Sequence, residues 1–351
     1  MSKPNILFIQ TINPGVVYYR MFAYAQSMSE QELAHVRMFP PWEPRQRVAG
    51  EWEQHLKENL NEIETQVKWA DVVVCQYINS VEGLSVIQAI RDQKPCFMEV
   101  DDYFKGVPYY NVAYAANRPG DSQDFWATRQ MMESKGIICS TEYLAEQYGK
   151  YNPCTKVIPN CIDFKLWDSI HTNGELKTKV RVGWIGGATH SGDLLIIKDA
   201  LYSFLEKTKN MEVYIVSAPP PSDWPKHDNL HMVHDWKPID EYPQAVKKWS
   251  FDIGLVPLRD NMFNRAKSNL RYLEYSACKI PTVASPVKPF QKDFVGKLAS
   301  YDKEWIQNID EFIWDRAKAR IMGQVAYEVV KNKFNVEKVS QDYFNYLKEY
   351  I

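Results

Sequence analysis

Glycine and paired cysteine are scarce in this chain of 351 residues, and the signatures that depend on them are missing. Its 15 glycines form neither a Walker A loop nor a GxGxxG turn, so the P-loop and dinucleotide fingerprints fail on spacing. The cysteines, Cys75, Cys96, Cys139, Cys154, Cys161 and Cys278, include no CxxC pair and have no histidine at zinc-ligand spacing. Three of them lie in apolar strand runs and read as small core residues, and a reducing cytosol is the default expectation. No apolar run is long enough to span a bilayer, and MSKPNILFIQ passes straight into a strand without a secretory leader, which makes the cytoplasm the expected compartment. Repeats and low-complexity tracts are absent. The formal net charge is −2, slightly acidic over residues 1–165 and slightly basic beyond, which implies no broad polyanion-binding surface but leaves room for a local groove.

Aromatics, by contrast, are plentiful, with 11 Trp and 21 Tyr. They suit stacking on sugars or bases as well as ordinary core packing. Short apolar runs recur at βα spacing: Asn5–Gln10, Val72–Cys75, Cys96–Val100, Gly136–Cys139 and Lys156–Ile158, with helical patterns between them. After a polar linker, Asp168–Lys179, with an Asn173-Gly174 turn, the pattern restarts at Val180–Gly187 and continues through Glu212–Ser217, Leu230–Val233, Phe251–Pro257 and Pro281–Ala284. The expected fold is α/β, two Rossmann-like doubly wound domains facing across a cleft. The first spans 1–165 and the second 178–325, and a terminal helix within 326–351 packs back toward the first. Residues 40–68, polar and helical, read as an insertion or lid.

The stretch 251–285 carries the strongest local chemistry. A buried strand, a polar loop, a helix of about a dozen residues and a second strand make a right-handed βαβ unit. Asn264, Arg265, Lys267, Ser268 and Asn269 fall where that helix begins, so amides, helix dipole and cations converge. This is either an anion site or a solvated, well-capped helix start. Gly186-Gly187, between a strand and Thr189-His190, offers a second place where amides meet phosphate or sugar oxygens; His190 is a candidate base or a plain polar contact. Ala218-Pro219-Pro220-Pro221 and Trp236 could border a nucleobase. In the first half, Pro14-Gly15 turns into Tyr18, Tyr19 and Arg20, placed to contact a ligand, with Trp42, Arg45 and Arg47 beyond. Asp101 and Asp102 end the strand Cys96–Val100 and either cap a helix or hold sugar hydroxyls or a nucleophile. They lack the compact Asp-x-Asp form of a nucleotide-sugar metal site.

The Gly-bearing loop after the first strand, IPNCID before the linker, the Gly-Gly loop and DIGLVPL…FNRAKSNLRYLEYSACKIPTVAS resemble retaining glycosyltransferases of the GT-B fold, close to family 4. The resemblance implies transfer of a sugar from a nucleotide-diphosphate donor to an acceptor hydroxyl, without a metal or other cofactor. It implies that Glu274 grips the ribose, that Lys267 and Ser268 hold the diphosphate with Gly186 and Gly187, and that Gly15 faces them across the cleft. Two departures from the family stand out. Ala266 stands where a glutamate usually contacts the sugar, and Asp101-Asp102 stand where the first domain usually offers a histidine. The expected acceptor is a glycan, met in the first domain by Tyr18, Tyr19 and Arg20. A hydroxymethylated DNA base is the alternative on the side of activity, and a non-catalytic nucleotide- or glycan-binding protein the alternative from another class.

Overall fold

Every strand pairing between the named strands is parallel, and the physical reason is visible in the strands themselves. Val72–Gln76 (VVVCQ), Cys96–Val100 (CFMEV) and Gly136–Cys139 (GIIC) are buried at every residue, as strands covered by helices on both faces must be. The computed structural model describes residues 2–10, 14–44, 58–78, 80–118, 120–170, 179–216, 224, 226–235 and 237–351. Trp236, Arg45, Arg47, residues 11–13, 218–221 and the Asn173-Gly174 turn lie outside the described residues.

The first sheet comprises β1 (Asn5–Ile9), β2 (His35–Phe39), β3 (Val72–Gln76), β4 (Cys96–Val100), β5 (Gly136–Cys139) and β6 (Thr155–Val157) in the order β2-β1-β3-β4-β5-β6. The second comprises β7 (Val180–Ile185), β8 (Met211–Val216), β9 (Leu230–Val233), β10 (Ile253–Val256), β11 (Thr282–Ala284) and β12 (Lys297–Leu298) in the order β12-β11-β10-β7-β8-β9. The strand order therefore reverses between β1 and β3 in one sheet and between β7 and β10 in the other. Such switch points open crevices at the carboxyl ends of the strands, where doubly wound folds bind ligands.

Five helices matter for the site: α1 (Ala23–Glu30), α2 (Met262–Ala266), α3 (Leu270–Ala277), α4 (Arg316–Lys333) and α5 (Val336–Lys348). The expected dozen-residue helix after β10 is two helices, α2 and α3, broken at Lys267-Ser268. The helical segment after β7 is also divided, into Ser191–Leu194, a 3-10 turn Leu195–Ile197 and Lys198–Lys207. Within 40–68, the described helix is Leu60–Trp69. The edge strand β2 and the two-residue β12 were not foreseen.

The chain crosses between the sheets twice, and the crossings run side by side. Ile162 pairs with Asn335 as an isolated parallel bridge, closed by Ile162 N–H to Phe334 O at 2.8 Å and Val336 N–H to Ile162 O at 3.0 Å. Residue 326 falls inside α4, which packs on α3 of the second domain, whereas α5 lies on α1 of the first. There the Tyr343 ring meets Phe8 and Tyr24 edge-on at 6.1 and 5.4 Å, and Ser340 Oγ lies 2.9 Å from Ser27 Oγ.

Candidate active site

β10 is followed by Pro257-Leu258, and the loop beyond them is organised by caps. Asn261 caps α2, its side-chain oxygen accepting from Asn264 N–H at 2.9 Å. The helix stops at Lys267, whose φ of −57° and ψ of 147° are extended. Lys267 and Ser268 thus occupy a break between two helices and project into the cleft. Each meets the first domain there. Lys267 Nζ lies 2.7 and 2.9 Å from the two carboxylate oxygens of Asp102, and Asn160 donates to Ser268 Oγ at 2.8 Å. Asp101, Asp102, His190, Lys267, Ser268 and Arg271 all line one cavity of about 170 Å³ between the switch points.

Neither aspartate caps a helix. The 3-10 turn that follows, Phe104–Gly106, begins at Tyr103 with no side-chain cap. Burial, with the carboxylates of Asp102 and Glu99 adding to it, pushes Asp101 up to about 8 against the pull of Lys267 and Arg20. A carboxyl that keeps its proton near neutral pH can donate a hydrogen bond, while Asp102 is held in an ion pair. Two like groups in different environments are the usual basis for separate roles.

His190 enters the cavity from the second domain. Its Nδ1 lies 3.0 Å from Asp193 Oδ2, so Nδ1–H donates to the carboxylate and Nε2 remains for the cavity. Asp193 is itself fixed, because its Oδ1 accepts from Arg259 N–H at 2.9 Å and from Asn264 Nδ2 at 2.7 Å. Asn264 is buried and holds the loop after β10 to the loop after β7. The Gly186-Gly187 loop precedes this group. A Cβ on Gly186 would stand 2.3 Å from the Trp184 indole, which also lines the cavity, whereas Gly187 is open. The carbonyl of Thr189 accepts from Asn111 of the first domain at 2.8 Å.

Glu274 is buried among polar partners of the protein. Its Oε1 accepts from Tyr19 O–H at 2.8 Å, and its Oε2 accepts from Tyr242 O–H at 3.1 Å and Arg271 Nη1 at 2.5 Å. Arg271 is the member of this group that reaches the cavity wall. Tyr18, Tyr19 and Arg20 were expected at an acceptor; the π-helical turn Tyr18–Phe22 buries all three. Arg20 is paired with Glu99 at 2.6 Å and donates through Nη1 to Ile158 O and Asn160 Oδ1 at 2.8 and 2.9 Å. It therefore braces the residue that reaches Ser268. Gly15 lies in the short helix Pro14–Val17, half-buried. Ala266 is fully buried and its carbonyl accepts from Thr141 Oγ1 at 3.0 Å, so position 266 is part of the contact between the domains.

Sequence reasoning missed Asn160, Asp193 and Arg271. Asn160 stood within IPNCID, and Asp193 stands three residues after His190; nothing local marked their roles. Among the described residues, no group of three or more His, Cys, Asp or Glu side chains could hold a metal ion, and no helix is long and apolar enough to cross a membrane.

Residues 199–345 match a family model described as glycosyl transferase-like. No curated protein sequence matches. Among solved structures, sucrose-phosphate synthase of Thermosynechococcus elongatus aligns at 16% identity with a TM-score of 0.70, covering 99% of each chain. Anabaena HepE in complex with UDP and glucose aligns at 15% identity and a TM-score of 0.69, covering 98% of this chain and 99% of that one. A putative UDP-N-acetylglucosamine 2-epimerase from Listeria monocytogenes aligns at 11% identity and 0.61, covering 99% and 96%. The two facing parallel sheets are the GT-B fold.

Proposed function

We propose, taking as premise a GT-B chain whose second half is glycosyl transferase-like, that this protein is a glycosyltransferase moving a sugar from a nucleotide-diphosphate donor to an acceptor hydroxyl of a glycan, with retention, without a metal, and in the cytosol. The observation that carries this reading is the helix break at Lys267-Ser268, which brings an ammonium, a hydroxyl and the amides of α3 to the second switch point, opposite Asp101 and Asp102.

The chemistry follows from where charge develops. As the bond between the sugar and the diphosphate breaks, negative charge grows on the leaving oxygen, and fixed cations and amides aimed at it stabilise the transition state. Lys267 and Arg271 fill that role. A diphosphate at Lys267 competes with Asp102 for one ammonium, so donor binding frees Asp102 toward the sugar. In a same-face exchange the acceptor hydroxyl gives its proton to the departing diphosphate oxygen, and no external base is consumed. His190, aligned by Asp193, and protonated Asp101 are then placed to orient sugar hydroxyls.

The test is release of nucleotide from a panel of UDP-, GDP- and ADP-sugars, with and without glycans. Lys267→Ala should lower kcat/KM by about a hundredfold or more, the scale of losing one transition-state stabiliser, with unfolding unchanged. Unaltered turnover in that variant would refute the phosphate assignment. Because the fold is shared with a putative epimerase, the same panel is read for a changed sugar on an intact nucleotide, and binding without any conversion would favour a non-catalytic protein.

A further inference from the structure

We infer that the acceptor is an anionic saccharide, held in a basic groove that meets the donor cavity at Lys267. The word acceptor rests on the transferase reading above; the binding of an anionic saccharide rests on the groove alone.

A second hollow, of about 560 Å³, opens on the far side of Lys267, between the loops after β5 and β6 of the first domain and the segment after β11 of the second. Its volume lies within the roughly 300–1,000 Å³ of pockets that hold small ligands. Lys267 is common to both walls. Two substrates that must exchange one group need sites that touch, and these touch at the residue assigned to the leaving group.

The charge of the groove is unusual for a chain with a formal net charge of −2. Arg265, Lys288, Lys292 and Lys333 line it beside Lys267, against Glu142 and Asp293. Asp293 is engaged by Lys333 at 2.5 Å, and Arg265 is paired with Asp260 at 2.6 Å. Among the described residues no carboxylate pairs with Lys288 or Lys292, which stand exposed on the 3-10 turn Lys288–Phe290 and just after it. Two uncommitted ammonium groups at the mouth of a hollow recognise a carboxylate or phosphate ester, and the sugar body then fills the space toward Lys267. Duplex DNA is bound along a track of several phosphates; a hollow with two lysines that meet no carboxylate among the described residues fits a short charged glycan better.

Calorimetry on the full chain with tetragalacturonate, glucose 6-phosphate and maltotetraose separates carboxylate, phosphate ester and neutral saccharide, and a short DNA duplex serves as a fourth arm. At least one anionic saccharide should bind, more weakly as salt is raised, and the Lys288→Gln/Lys292→Gln double variant should weaken it about tenfold or more. UDP titrated into the same samples should bind wild type and variant alike. Equal affinity for maltotetraose, binding of the duplex alone, no binding of either anion, or a parallel loss of UDP affinity would each overturn the inference, the last by assigning the groove to the donor. Nucleotide release is scored separately. A chain that binds the anionic saccharide through Lys288 and Lys292 but releases no nucleotide keeps the groove and loses the transferase reading.

Discussion

Replacing Arg20 by methionine isolates what the buried ion pair beneath the cleft contributes. Arg20 and Glu99 are each 1% exposed, with Nε 2.6 Å from Oε1. Truncation leaves the Glu99 carboxylate with Gln76, at 3.2 Å, as its remaining side-chain partner among the described residues. Breaking a buried pair from one side costs about 3–5 kcal/mol, because an uncompensated charge stays behind. The Ile158 carbonyl and the Asn160 amide oxygen lose their donor as well, which puts Arg20→Met toward the upper end. Adding Glu99→Gln removes the orphan charge and leaves only the hydrogen-bond deficits, about 1–3 kcal/mol. The second substitution should therefore recover about 2 kcal/mol in the Arg20→Met background, while costing stability in the wild type. Urea unfolding of the four proteins at neutral pH measures the cycle. The pH dependence has a definite sign. Burial already raises Glu99 against the pull of Arg20, and without the guanidinium it rises further. The folded variant then takes up a proton that the unfolded chain does not, so its deficit shrinks as pH falls and grows as pH rises. If Glu99→Gln instead adds to the cost of Arg20→Met, the account of a compensated buried charge is wrong.

Two further outcomes follow from the same cleft. Asp101 keeps its proton up to about 8 in the folded chain, whereas an unfolded aspartate loses it near 3.9; stability should therefore decline as pH rises between those values and level off above, and Asp101→Asn should flatten that slope in a Tm-against-pH series. An unchanged slope in the variant would assign it elsewhere. Asp193→Asn keeps the shape but gives His190 Nδ1 and Asn264 Nδ2 a poorer acceptor, so kcat should fall with nucleotide affinity nearly unchanged; a loss of affinity alone would make Asp193 a donor-site support and leave His190 unaligned by it.

Much of the fold was legible because buried parallel strands announce themselves as short apolar runs. Cys96–Val100, Gly136–Cys139 and Leu230–Val233 were bounded to the residue. The edge strand β2 escaped because His35 and Arg37 are exposed in it and its alternating pattern has only one covered face. The division of the helix after β10 was hidden for a different reason. The residues FNRAKSNLRYLE have good helical periodicity, and the interruption at Lys267 is fixed by contacts with the first domain, Asp102 and Thr141, more than 120 residues away. Distance along the chain also explains Tyr19 and Arg20. Read locally they are polar residues after a glycine turn, but their partners Glu274 and Glu99 lie 255 and 79 residues further on. Local pattern reveals elements; it does not reveal which buried charge will find which.

The placement of α5 has a consequence for the order in which the protein is made. Its Tyr343, Phe344 and Leu347 cover α1 and the face of the first sheet at Phe8, yet about 180 residues of linker and second domain are synthesised between that sheet and its cover. The first domain therefore leaves the ribosome with an apolar face open, and at about 5–20 residues per second it waits on the order of ten seconds or more for residues 336–348. During that interval the second domain, whose strands and helices are contiguous in sequence, can complete itself first. A chain numbered from its first sheet is, on this topology, finished from its second.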